Sequence, residues 1–309
     1  MAKKRPSLAE KMRQSVTDDA PTDNLETKNS GEKIAAKPAP LEKAAAVAGK
    51  PWDSPGFKKW MQSVADLPAE QQVEAVSKKL VELNPGFDGK FSSTASESLP
   101  PGVLDGAVVE LMIFPDQVVD LSPLRALPEL RLLQCGSRQN TFEPLDLSAL
   151  NGMKIRSLKC FGRLLDFSAV KGLPLSELVT VGGLADLRPL SGMRLEKLTV
   201  AGNWDLKSLE PLKGMPLTCL ACDNCQIADL SPLTGMPLEM LYCDHTLIKD
   251  LSPLAGMKLK KLSFTPNPEL KGMPAIRQMN SLVEIGTAED KLMPSNEFWK
   301  KYDAGEFAK

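Results

Sequence analysis

Asp229-Leu230-Ser231-Pro232-Leu233 returns as Asp250-Leu251-Ser252-Pro253-Leu254, and an earlier copy runs from Asp120 to Leu124. Gly-Met follows the two later copies, at Gly235-Met236 and Gly256-Met257, and the phrase recurs about every 21 residues. Degenerate forms begin at Asp146, Asp166, Asp186 and Ser208. A fixed period of this size is the mark of a solenoid, whose units bury their apolar faces only by stacking on one another. Architecture is therefore legible before any single element is assigned.

Working outward from the phrase, each unit opens with Leu-x-x-Leu-x-Z, where Z is small or apolar. The copies run from Val108/Leu111/Ile113, through Leu217/Leu220/Cys222 and Leu238/Leu241/Cys243, to Leu282/Ile285/Thr287. On a short strand the second Leu and Z point to one face and the residues between them to the other. A turn follows, with an inward residue such as Val118, Ile227 or Ile248, and then the Asp-Leu-Ser-Pro-Leu phrase. Proline lacks the N–H that a strand ladder needs and suits the first turn of a short helix, so the phrase belongs on the opposite wall. The Gly of Gly-Met can take positive φ and turn the chain into the next strand.

Written as L-x-x-L-x-(L/C)-x-x-(N/C/T)-x-(L/I) followed by D-(I/L)-S-P-L, this unit resembles the bacterial leucine-rich repeat of internalin type. It is similar more closely to a leucine-rich module of planctomycete proteins, often found C-terminal to serine/threonine kinases. Leu83-Asn-Pro-Gly-Phe-Asp-Gly-Lys90, the Gly-Met-Pro-Leu-Thr type repeats and the closing stretch Glu297 to Phe307 carry that closer likeness. The resemblance implies an α/β leucine-rich repeat solenoid. Parallel strands would line the concave side and short 3-10 or irregular turns the convex side. The chain departs from the general pattern at the Asn position that ladders hydrogen bonds along the turns. That position is Asn only at Asn203 and Asn267, and otherwise Asp116, Arg138, Arg163, Gly183, Cys225 and Thr246.

Four regions are expected. Residues 1–50 are rich in Lys, Ala, Pro and acidic residues and hold no aromatic. Such a segment buries too little apolar area to offset its ordering entropy, which predicts a disordered arm. Residues 51–90 carry two helical patterns, Phe57/Trp60/Met61/Val64 and Val73/Val76/Leu80/Leu83, and are expected to cap the first repeat. Repeats fill 91–287. A C-terminal cap over 288–309 uses Phe298, Trp299 and Tyr302.

Chemistry is sparse. The formal charge of -1, from 38 basic and 39 acidic residues, gives no global field toward nucleic acid or a membrane surface. No secretory leader or spanning stretch is read, so a reduced, cytoplasmic setting is expected. Cys219-x-x-Cys222-x-x-Cys225 has metal-site spacing. The repeat alignment, however, puts Cys222 in the inward slot shared with Cys135, Cys160 and Cys243, with Cys219 on the outer side of the strand and Cys225 in the turn. Three thiols on different faces do not converge on one ion, and neither metal nor cofactor is expected. A disulfide between Cys222 and Cys243, on neighbouring strands, is conceivable but awkward. The single histidine, His245, stands beside Asp244 without a nucleophile in a suitable turn. Kinase elements (Gly-x-Gly-x-x-Gly, His-Arg-Asp, Asp-Phe-Gly, Ala-Pro-Glu) do not occur. No enzyme activity is expected.

What is left is a surface. The outward strand positions Met112, Phe114, Leu132, Gln134, Lys159, Phe161, Val179 and Val181 form an unusually apolar first half, and Tyr242 and Asp244 belong to a more polar second half. Contiguous apolar surface of this kind marks an interaction site. The expected function is binding of a protein or peptide through the concave face. The alternative is a regulatory module that engages a serine/threonine kinase or its substrate, and a cysteine-based metal or redox protein is the enzymatic rival.

Overall fold

The computed structural model describes residues 50–96, 98–113, 118–136, 145–162 and 167–307. The arm expected over residues 1–50 lies outside them, apart from Lys50. Alternation in the Leu-x-x-Leu-x-Z units builds short strands. These are β1 (Gly102–Leu104), β2 (Ala107–Met112), β3 (Leu132–Gly136), β4 (Ser157–Phe161), β5 (Glu177–Val181) and β6 (Lys197–Thr199). The series continues with β7 (Cys219–Ala221), β8 (Met240–Cys243), β9 (Lys261–Phe264), β10 (Glu284–Gly286) and β11 (Leu292–Pro294). They form one 11-stranded sheet in strict chain order. From β2 to β10 every neighbour is parallel, and β1 and β11 close the two ends as antiparallel hairpins. This is a leucine-rich repeat solenoid.

Register places like beside like. Leu133 pairs with Leu158, Leu158 with Leu178 and Leu178 with Leu198. The column from Leu111 to Leu262 and Ile285 is at most 1% exposed. Each fully buried Leu contributes about 1.5–3 kcal/mol relative to exposure, so the stack itself supplies the core.

The recurring phrase makes the opposite wall from short 3-10 turns, among them Arg188–Leu190, Glu210–Leu212, Ser231–Leu233 and Ser252–Leu254. Its Asp does specific work as an Asx turn. Asp229 Oδ1 accepts from the Ser231 N–H at 2.7 Å, and its Oδ2 accepts from the Ser231 hydroxyl at 2.7 Å. Asp120, Asp146, Asp186 and Asp250 hold the residue two places on in the same way. The Ser231 hydroxyl, then its N–H, keeps the Asp229 carboxyl below its ordinary value, and Ser252 does the same for Asp250. Leu230, Leu233, Leu251 and Leu254 are buried beneath. Gly235 (φ 72°) and Gly256 (φ 76°) then reverse the chain and tuck Met236 and Met257 inside.

Helices α1 (Pro55–Ala65) and α2 (Ala69–Leu83) cover the first repeat, with Val64, Val76 and Leu80 buried. Ser54 caps α1 through the Phe57 N–H, and buried Gln72 stitches the helix junction by donating to the Ala65 and Leu67 carbonyls. The Lys50 ammonium, at 5.4 Å, and the Arg125 guanidinium, at 5.3 Å, both lie over the Trp52 ring. Asn84, 1% exposed, is the tie between cap and solenoid. Its oxygen accepts from the Val119 and Asp120 N–H groups, and its amide donates to the Leu80 and Asp120 carbonyls. At the other end α3 (Met273–Arg277) stands where a 3-10 turn would be, and α4 (Ser295–Asp303) seals the last strands. Phe298 of α4 is fully buried, with Phe264 at 6.0 Å and Phe307 stacked at 4.9 Å. No helix among the described residues is long and apolar enough to cross a membrane.

Candidate functional site

Side-by-side strands carry their outward side chains in rows across the sheet. One row runs Glu110, Leu132, Ser157, Glu177, Lys197, Cys219, Met240, Lys261, Glu284. The next runs Met112, Gln134, Lys159, Val179, Thr199, Ala221, Tyr242, Ser263. Phe161 and Val181 pair in a third, beside Gly136, which has no side chain to cover them.

From β3 to β6 the face is open. Leu132 is 36% exposed, Lys197 is exposed, and Gln134, Lys159, Phe161 and Val181 are half-buried. Lys159 makes no ion pair among the described residues. Its neighbour Val179 is buried, flanked in register by Lys159 and Thr199. Met112 is buried at the sheet's start, where Ser92 pairs with its backbone. Glu110 closes that edge by accepting from the Ser93 hydroxyl at 2.7 Å and from Thr94 N–H and hydroxyl at 2.6 Å. Burial pushes the Glu110 carboxyl up, and these bonds outweigh it and hold it below its usual value.

From β7 to β10 the face is closed by its own contacts. Tyr242 is 9% exposed and donates its hydroxyl to Met240 Sδ at 3.7 Å. Asp244 is 2% exposed and accepts from the Ser263 hydroxyl at 2.7 Å, with His245 Nδ1 at 2.8 Å. Lys261 pairs with Glu284 at 2.6 Å. The proposed contact set therefore needs narrowing. Met112, Val179, Tyr242 and Asp244 face outward as expected, yet neighbouring side chains and backbone cover them. Phe114 lies outside the described residues.

The thiols take three environments. Cys135, Cys160, Cys222 and Cys243 are inward and 0% exposed, while Cys219 is half-buried on the outer side. Cys225 donates from the turn to the Val200 carbonyl at 3.1 Å, and burial pushes its thiol up to about 11. Among the described residues no three His, Cys, Asp or Glu side chains are grouped to hold a metal ion. The Cys243 thiol donates to the Ser263 carbonyl at 3.2 Å rather than to Cys222. The pair that meets is Cys135 and Cys160, 3.7 Å apart. His245 sits at φ 53°, its N–H on the Thr265 hydroxyl at 2.6 Å, so the Asp244 contact helps to shape a tight turn.

The irregular ladder position resolves into shared labour. Asn203 donates to the carbonyl of Val200 in its own repeat and to that of Thr180 in the previous one, and accepts from the Leu184 N–H. Cys225 keeps the bond to the previous repeat, at Val200, and adds a longer one of 3.6 Å to the Asp223 carbonyl, while Thr246 bonds within its own repeat, to Cys243. Asn267 instead accepts locally from the Glu269 N–H. Nothing in the stretch Leu83 to Lys90 signals locally that Asn84 is the clamp at the first turn. Pattern reading also passed over Trp204 and Leu247, 68% and 58% exposed, one residue beyond the ladder positions of their repeats.

Comparison with protein-family profiles finds no match, and neither does comparison with curated proteins. Among solved structures the chain is similar to an internalin (inlF) from Listeria monocytogenes. The two are 23% identical over 56% of this chain and 52% of that one, with a TM-score of 0.46. It is also similar to an internalin C2 (inlC2) from the same species, at 28% identity over 45% of this chain and 62% of that one, with a TM-score of 0.38. The chain thus spans about half the length of the first and less than two thirds of the second. The assignment of the fold rests on strand order and register.

Proposed function

We propose that this chain is a non-catalytic binding module that receives a protein or peptide partner on the concave sheet from β3 to β6. The observation that carries this reading is the open face itself. Leu132, Phe161 and Val181 supply apolar contact there, with half-buried Gln134 and Lys159 between them. Apolar surface next to a few convergent polar groups is the usual composition of a recognition patch. The likeness of Leu83–Lys90 and Glu297–Phe307 to modules that follow kinases makes a serine/threonine kinase or its substrate the first partner to test. Six free thiols are in keeping with work in a reduced compartment such as the cytoplasm.

The test is capture of partners by the full chain and by two variants. Phe161→Asp should weaken retention by about 30-fold, the size of a hot-spot loss of about 2 kcal/mol. Glu210→Lys, on the convex 3-10 turn, should leave it unchanged, with urea midpoints confirming that both variants fold. Equal retention by wild type and Phe161→Asp would remove the concave reading.

A further inference from the structure

We propose that Cys135 and Cys160 are a redox-responsive pair that closes into a cross-strand disulfide when a small hydroperoxide reaches the core between β3 and β4. The pair follows from register, since Cys135 stands directly opposite Cys160 on parallel neighbours. Adjacent strands lie about 4.8 Å apart, inside the Cα separation of about 4.4–6.8 Å that a disulfide spans. The sulfurs are already in contact at 3.7 Å. An internal control sits four strands away. Cys222, just past β7, and Cys243, at the end of β8, occupy the same inward slot, yet the Cys243 thiol is turned to the Ser263 carbonyl. Shared position alone therefore does not bring two thiols together. Side-chain direction does, and the thiol–thiol hydrogen bond is made by Cys135 and Cys160.

Burial selects the oxidant and sets the rate. Both thiols are fully enclosed, which favours a small peroxide over a bulky disulfide reagent. The hydrogen bond with Cys135, and then burial, push the Cys160 thiol well above its ordinary value. The reaction is accordingly slow at neutral pH and quickens as pH rises, because the thiolate is the nucleophile. One thiolate attacks a peroxide oxygen, the O–O bond breaks, and a sulfenic acid forms with release of water once the leaving oxygen is protonated. The second sulfur then displaces the sulfenic oxygen, so that an S–S bond forms, the S–O bond breaks and a second water leaves. In sum, two thiols give up two protons and two electrons, and hydrogen peroxide becomes two waters. The link would lie directly beneath the Gln134–Lys159 and Gly136–Phe161 pairs and lock one whole repeat. It does not depend on the function proposed for the face above.

The experiment treats the full reduced chain with hydrogen peroxide at several pH values, alkylates the remaining thiols, and maps peptides without reduction. The expected result is one cross-link joining Cys135 to Cys160, faster at higher pH, reversed by dithiothreitol and accompanied by a higher urea midpoint. Cys219→Ala should leave it intact, and Cys135→Ala or Cys160→Ala should abolish it. Three results would overturn the proposal. The first is a Cys222–Cys243 link forming ahead of it. The second is Cys135 and Cys160 passing to sulfinic acid without joining. The third is that both remain fully alkylatable after oxidation in mild urea, where peroxide has access.

Discussion

The two halves of the concave face share one strand template and end as different objects. Between β3 and β6, Lys159 stands beside buried Val179 and Phe161 beside Val181, and Lys159, Phe161 and Val181 stay partly open to solvent. Between β7 and β10, Lys261 finds Glu284, Asp244 finds Ser263 and His245, and Tyr242 finds Met240. Outward direction alone does not make a binding surface. A neighbour in register that satisfies a polar group, or covers an apolar one, turns surface into wall.

Truncating an aromatic in each half gives the sharpest test of that contrast. Tyr242→Ala should cost about 3 kcal/mol or more, as for a buried aromatic, whereas half-buried Phe161→Ala should cost about 1 kcal/mol. Urea denaturation reads both, and equal losses would erase the distinction between wall and surface. A smaller effect separates two ladder residues, Asn203 after β6 and Thr246 after β8. Asn203→Ala strands several buried backbone partners and should cost about 2–3 kcal/mol, while Thr246→Ala, with one bond to lose, should cost about 1 kcal/mol.

The middle of the sheet offers a gain in stability. Thr180 is fully buried, and its hydroxyl has no hydrogen-bond partner among the described residues, in a slot that neighbouring repeats fill with Cys160 or Val200. Thr180→Val should raise stability by about 1 kcal/mol by removing an unsatisfied group while keeping volume. An unchanged or lower urea midpoint would mean that the hydroxyl is bonded in solution.

The convex wall of the closed half supplies the smallest effect. Because the Asp229 and Asp250 carboxyls are depressed on folding, their contribution is complete above the ordinary carboxylate value of about 3.9 and is lost as pH falls through the lower folded value. In the Asp229→Asn/Asp250→Asn double variant the Asx turns keep an acceptor but cannot titrate. Its urea midpoint should match wild type near neutrality and fall less steeply below about pH 4. Superimposable acid limbs would show that these turns carry no pH-dependent stability.

Much of this was legible in residues. The period of the Asp-Leu-Ser-Pro-Leu phrase, the alternation in Leu-x-x-Leu-x-Z and the glycines after the later copies lead directly to the sheet order, the inward Leu column and the convex turns. Each is a local pattern repeated against a copy of itself, so one unit predicts the next. The site was less legible. Met112, Val179, Tyr242 and Asp244 have the right parity for the concave face, but their burial depends on chains from other strands and from the segment at Ser92. Asn84 was harder still, because its partners Val119 and Asp120 lie in the first repeat, beyond the helix it ends.

The sequence alone determined that this chain stacks units into a solenoid, since periodic Leu and Pro positions leave that arrangement as the way to bury every apolar face. Tertiary structure alone decided which outward side chains remain open and which two thiols touch. Those outcomes depend on side-chain direction and on neighbours about 20 residues away in sequence that register brings alongside.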